Sequence, residues 1–248
     1  MKKLSKILLL SVLSIFLVAG SAMALHIPGA ALQGVLDDIT TAPTAGDSSV
    51  DVTTDYLGFD SYWSITATGS SVTTMVIELA DFAPNNIFGV YSGQDYIPLF
   101  QGNDVAGDQS LLSIKADGSV YVNFSDTGVD FAGNLFGYYL DSSHYSNGGL
   151  WHSDTALNSD GEDHMFAYQG TNTDTVQLPG LVSGEWTNGE YVLAFEDLRA
   201  SASDWDFTDM VVMVESVRPV PEPATMLLLG SGLIGLAVLS RKKFFKRS

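Results

Sequence analysis

The 248-residue chain carries 29 acidic and 11 basic residues, a formal charge of −18, and no cysteine. The missing thiols exclude a disulfide framework and thiolate metal centres, and the acidity excludes nucleic acid as a partner. Most basic residues sit near the two ends. Residues 25–219 keep 28 acids against Lys115, Arg199 and Arg218, a formal charge of −25.

In chain order, Lys2, Lys3 and Lys6 precede an apolar run over 7–18, and Ala22-Met23-Ala24 has the small-x-small form of a cleavage site. That order predicts a secretory signal peptide over 1–24, cut after Ala24. Residues 25–49 read as a short helix and a linker. Leu32, Val35, Leu36 and Ile39 stand at helical spacing, and 40–49 is rich in Thr, Ala, Gly and Pro.

From residue 50 the period changes. Short β-branched and aromatic runs lie at 62–66, 72–79, 87–91, 96–100, 111–115, 120–124, 135–140, 164–168, 190–195 and 210–217, with Gly, Asn, Asp and Ser between them. Ala116-Asp117-Gly118-Ser119 is a hairpin turn. About ten short strands predict an all-β ectodomain over 50–219, a β-sandwich or jelly roll.

No Gly-x-Ser-x-Gly, His-Glu-x-x-His or nucleotide-binding glycine motif occurs, and His26, His144, His152 and His164 lack zinc-ligand spacing. The expectation is a protein that is not an enzyme. Two stretches gather side-chain oxygens: Asn158, Asp160, Glu162 and Asp163 before His164, and Glu196, Asp197, Asp204, Asp206 and Asp209 between two strands. Calcium takes six to eight hard oxygens, so Glu196, Asp197, Asp204, Asp206 and Asp209 are its candidate ligands, with Asn158 and Asp160 as further oxygens. Turn-capping by the same aspartates, or an Asp–Arg199 pair, orders such a loop without metal. Paired carboxylates also suit a glycan hydrolase or lyase, and Tyr138, Tyr139, Trp151 or Trp186 could offer sugar-stacking faces.

The tail closes the reading. Residues 224–240 carry no charge and span roughly 26 Å as a helix, enough for a thin bilayer, and 241–248 hold five basic residues. Pro221 and Pro223 end any helix upstream. Pro221-Glu222-Pro223, the apolar span and the basic end together resemble the PEP-CTERM sorting signal of Gram-negative bacteria. The resemblance implies export through the secretion machinery, a transient anchor in the inner membrane and handling by an exosortase. Delivery to the cell surface or the extracellular matrix, with acidic exopolysaccharide as a possible partner, is the implied destination.

A second resemblance lies upstream. Leu157, Asn158, Asp160, Gly161 and His164, then Glu196-Asp197-Leu198, then Asp204, Asp206 and Asp209 are similar to a domain of unknown function near the C-terminus of bacterial surface proteins. Thr208 stands where that pattern usually has Asn. The resemblance covers roughly 134–217 and implies a shared fold and site rather than a chemistry. Three functions follow as expectations: a structural surface or matrix protein first, a calcium-dependent glycan-binding module second, and a glycan hydrolase or lyase third.

Overall fold

Strand-forming residues dominate the body, and the computed structural model describes residues 26–66, 70–77 and 85–221. The signal peptide expected at 1–24 and the span expected at 224–240 lie outside these. No helix among the described residues is long and apolar enough to cross a membrane.

Helix α1, Ala30–Ile39, buries the expected stripe of Leu32, Val35, Leu36 and Ile39. Thr40 turns extended and ends it, its hydroxyl donating to the Leu36 carbonyl at 2.8 Å. The segment expected as a linker carries strand β1, Thr40–Ala42, followed by a tethered turn. The Ser48 N–H donates to the Asp37 carboxylate and the Ser49 N–H to Asp174.

The remaining strands are β2 Trp63–Ile65, β3 Ser71–Ile77, β4 Ile87–Ser92, β5 Asp95–Gln101, β6 Gln109–Ile114, β7 Ser119–Val122, β8 Ser125–Asp130, β9 Gly137–Asp141 and β10 Leu150–His152. They continue as β11 Met165–Gln169, β12 Thr175–Val176, β13 Gly184–Glu185, β14 Glu190–Phe195, β15 Met210–Glu215 and β16 Val217–Pro219. A seven-stranded sheet runs β11-β14-β15-β3-β6-β7-β8, and a four-stranded sheet runs β10-β9-β4-β5. Smaller sheets join β1-β12-β13 and β16-β2. Every pairing is antiparallel.

Two cores explain which strands read as continuous apolar runs. Tyr191, Leu193 and Phe195 of β14 face the four-stranded sheet with Phe88, Tyr138 and Leu140. Their alternates Val192 and Ala194 face α1, with Leu32, Leu36 and Trp186. A strand covered on both sides has no solvent-facing set, so β14 and β15 lose the alternation of a half-exposed strand. Farther along the sheet β6 keeps it, burying Ser110, Leu112 and Ile114, and the edge strand β8 is almost wholly polar.

One turn differs from expectation. The run 120–124 ends at Val122, because Asn123 and Phe124 take φ of +50° and +67° and make the tight turn into β8. Asn tolerates that conformation, and the Asn123 side chain accepts the Leu111 N–H at 2.9 Å. Phe124 is thereby left 86 % exposed.

The doubly covered strand should be the most sensitive to truncation. Leu193→Ala is expected to cost about 2–5 kcal/mol in urea denaturation. Val182→Ala, at a site 91 % exposed, is expected to stay within about 0.5 kcal/mol.

Candidate metal centre

The ladder β14–β15 builds the site. Phe195 pairs with Met210 as the last rung, so Glu196 leaves one strand just where Asp209 enters its neighbour. Opposed like charges repel across a ladder, and the sheet register imposes this opposition. The connecting loop brings Asp206 to the same place. One oxygen each of Glu196, Asp206 and Asp209 lies within 4.8 Å of one from each of the others. That is the span of two opposite ligands on a cation with bonds of about 2.4 Å.

Each carboxylate is held by main chain. Glu196 Oε1 accepts the Leu198 N–H at 3.1 Å, Asp209 Oδ2 the Asp197 N–H at 3.0 Å, and Asp206 Oδ1 the Thr208 N–H and hydroxyl at 2.8 Å. Asp206 therefore caps its own turn, as the turn-capping reading expects. Glu196 goes further: it is 0 % exposed, and its Oε2 has no hydrogen-bond partner. Burial pushes its carboxyl up to about 7; the Leu198 N–H and the Ser203 hydroxyl offset part of that, and the charges of Asp204 and Asp197 add to it. Burial, then Asp197 and Glu196, pushes Asp209 up to about 9.

Below the site lies a strut made by the other acidic stretch. Asn158 accepts the His152 N–H at 2.7 Å and donates to the His152 and Glu162 carbonyls. All its polar atoms are thus spent on main chain. Asp160 accepts the Ala200 and Glu162 N–H groups and sits 3.1 Å from His164 Nε2. His164 is fully buried, stacks on Trp151 with centroids 3.8 Å apart and places Nδ1 3.1 Å from the Glu196 carbonyl. Burial lowers its pKa against the pull of Asp160.

Of the expected ligands, Glu196, Asp206 and Asp209 converge. Asp197 is buried and turned elsewhere: its Oδ2 accepts from Asn86 at 3.2 Å, and its carbonyl accepts from the Trp151 indole and the Ser142 hydroxyl. Asp204 is exposed, and Asn158 and Asp160 belong to the strut. The Asp–Arg199 pair does not form, because Arg199 is exposed and its guanidinium donates to Asn147 at 2.8 Å. Among the described residues the contacts at ion-pair distance are His26–Glu162 and His164–Asp160, ionic only when the imidazole is protonated, with no Lys or Arg taking part. Asn86, Ser142 and Trp151 hold the loop from 46–111 residues away, a separation that leaves no local sequence signal.

Trp205 and Phe207 flank Asp206 with φ of +58° and +56°. Phe207 is buried edge-on against Phe166 at 4.9 Å, and Trp205 stacks on His26 at 4.0 Å. Two aromatic anchors thus fix the carboxylate between them. The rings suggested for sugar stacking are not available: Tyr138, Tyr139, Trp151 and Trp186 are 0–4 % exposed, because each fills a core.

A second pair of acids faces a cavity of about 410 Å³ lined by Tyr56, Phe59, Asp60, Thr155, Asp163 and Phe166. Burial, then the charge of Asp163, holds Asp60 well above the usual carboxylate range, and burial pushes Asp163 up to about 6. Both groups bind protons more tightly folded than unfolded. Their contribution is therefore fully present below the ordinary carboxylate pKa near 4 and is lost as pH rises through 6 and above. Melting temperature in chelator should fall between pH 5 and pH 8. Asp60→Asn should make that slope shallower, and an unchanged slope would remove the pair as its source.

The surface-domain pattern does not span a closed unit. Its β15 pairs with β3, and its β9 pairs with β4, both from upstream. A fragment of residues 131–217 should give no cooperative melting transition, whereas 25–221 should melt cooperatively in circular dichroism.

No curated protein and no solved structure matches the chain. Family models match two stretches: residues 131–217 are similar to a domain of unknown function (DUF4114), and residues 219–242 carry a PEP-CTERM protein-sorting motif.

Proposed function

We propose that the protein is a structural component of the cell surface or extracellular exopolysaccharide matrix, working by occupancy and binding rather than by catalysis. The observation that carries this reading is the sorting motif, which makes the chain an exported, exosortase-targeted protein with a membrane-anchored intermediate. Its setting adds to the case. The matched motif begins at Pro219, the last residue of β16, and the Val220 N–H still donates to the Tyr62 carbonyl at 2.7 Å. The folded body therefore runs directly into the signal, without a spacer between the two.

Electrostatics supports the same role. A segment at −25 repels copies of itself and other polyanions in low salt. It approaches acidic exopolysaccharide when divalent ions bridge the carboxylates. Glycan binding in the more specific sense has one supporting feature, the cavity where the 51 % exposed Phe59 stands beside Asp60 and Asp163. An aromatic face next to carboxylates that accept hydroxyl protons suits a sugar unit.

Surface-extracted protein should show an intact mass lacking residues 241–248, and it should be retained by native exopolymer without releasing reducing sugar. Recovery of full-length chains in the inner membrane as the only stable form would end the sorting reading. Sugar release lost in a single Asp or Glu variant would make the protein an enzyme instead.

A further inference from the structure

We propose that Glu196, Asp206 and Asp209 form a site for one calcium ion, and that the ion closes the loop between β14 and β15 at its base. This goes beyond the surface role, because it concerns what holds this domain's most acidic loop in place. Two independent observations carry it.

The first is the convergence. Three carboxylates come from the end of one strand, the start of its hydrogen-bonded neighbour and the loop between them, and their oxygens fit on one coordination sphere. The second is Glu196 itself. Its Oε2 is sealed from solvent with no donor to satisfy it, and a buried carboxylate oxygen left bare is costly. Arg199, the nearest base in sequence, is exposed and occupied with Asn147. What the site lacks is positive charge, and among the described residues no Lys or Arg pairs with its carboxylates.

The donor set selects the ion. All three side chains are carboxylates, and the one histidine near Glu196 spends its nitrogens on the Glu196 carbonyl and Asp160. Hard oxygens without nitrogen or sulfur favour calcium over zinc or copper, and three anionic ligands in a loop tolerate its variable geometry better than the octahedron magnesium demands. Waters and main-chain oxygens complete the shell. The predicted affinity class is that of extracellular modules, with a dissociation constant of about 10⁻⁴–10⁻³ M.

Bound ion would join Glu196 to Asp209 just beyond the last rung of the ladder, replacing repulsion by bridging. The loop of residues 196–209 would then be closed at both ends and pinned in the middle by Asp206. In a chain with no cysteine, this supplies the staple that a disulfide gives other exported domains.

The test uses the full-length protein in detergent, titrated with calcium chloride by calorimetry and followed by thermal melting, with magnesium and EDTA at matched ionic strength. The expected result is one site per chain and a rise in melting temperature of about 5–10 °C at a free concentration near 100 times the dissociation constant. Glu196→Gln should abolish the rise and melt above the natural protein in EDTA, because it removes a buried carboxylate that faces Asp209 and is bare at Oε2. Asp206→Asn keeps the Thr208 cap acceptor and should lose the rise while staying folded, so the proposal remains testable if the Glu196 variant does not fold. Asp117→Asn, at an exposed turn, should keep it. Equal melting in calcium and EDTA, or an equal calcium rise in all three variants, overturns the site.

Discussion

Burial of one antiparallel pair on both faces is the constraint from which the rest follows. β14 and β15 are packed against the four-stranded sheet on one side and against α1 with Trp186 on the other. A strand so enclosed cannot slip by one residue, because a slip exchanges two different cores rather than a core for solvent. Register is therefore fixed over six rungs, from Glu190–Glu215 to Phe195–Met210. The acids at either end of that ladder inherit positions they would not choose. At one end burial, and then the charge of Glu190, raises the pKa of Glu215; at the other, Glu196 and Asp209 meet beyond the last rung. Core packing, worth several kcal/mol per large side chain, overrides the electrostatic cost at its edges.

That cost is contained by a scaffold of unusual polar economy. Asn158 serves as a main-chain substitute, returning bonds to both N–H and C=O of His152. The ring of His164 lies flat on Trp151 and reaches the Glu196 carbonyl, while Trp151 donates to the next carbonyl along, that of Asp197. Two consecutive peptide oxygens are thus held by two stacked rings. The first acidic stretch is the foundation of the second, which is why the two parts of the surface-domain pattern, some thirty residues apart, belong to one structural unit.

The sequence made much of this legible, and the reasons differ by element. All ten expected strands exist, because each carries a run of β-branched or aromatic residues that only a core explains. The four helical positions in α1 are buried as their spacing implies. β8 escaped because its residues Ser125, Asp126, Thr127, Gly128, Val129 and Asp130 offer one apolar side chain; it is a strand by hydrogen bonding to β7 alone. β12 and β13 are two residues each, too short for any period. At the site, the residue types were readable but the directions were not. Glu196, Asp197 and Asp209 look equivalent in sequence. Only the ladder shows that Asp197 turns to Asn86 while its neighbour points into the cluster. A period of two along a strand cannot tell where side chains aim one residue past its end.

The distribution of charge gives the acidic loop its wider meaning. With three basic residues among 25–219, this body has almost no means of neutralising a buried carboxylate from within. Glu196, Asp209, Asp60 and Asp163 all hold protons more tightly than free carboxylates do. The same sign at four places in two separate clusters is a property of the whole domain rather than of one site. Internal salt bridges would fix stability independently of the medium. Uncompensated carboxylates hand that role to the medium, through its pH and its cations, and a protein carrying an export signal changes its medium on export. The fold is thus assembled by apolar packing, which every compartment permits, while its acidic end is left to respond to the pH and the cations around it.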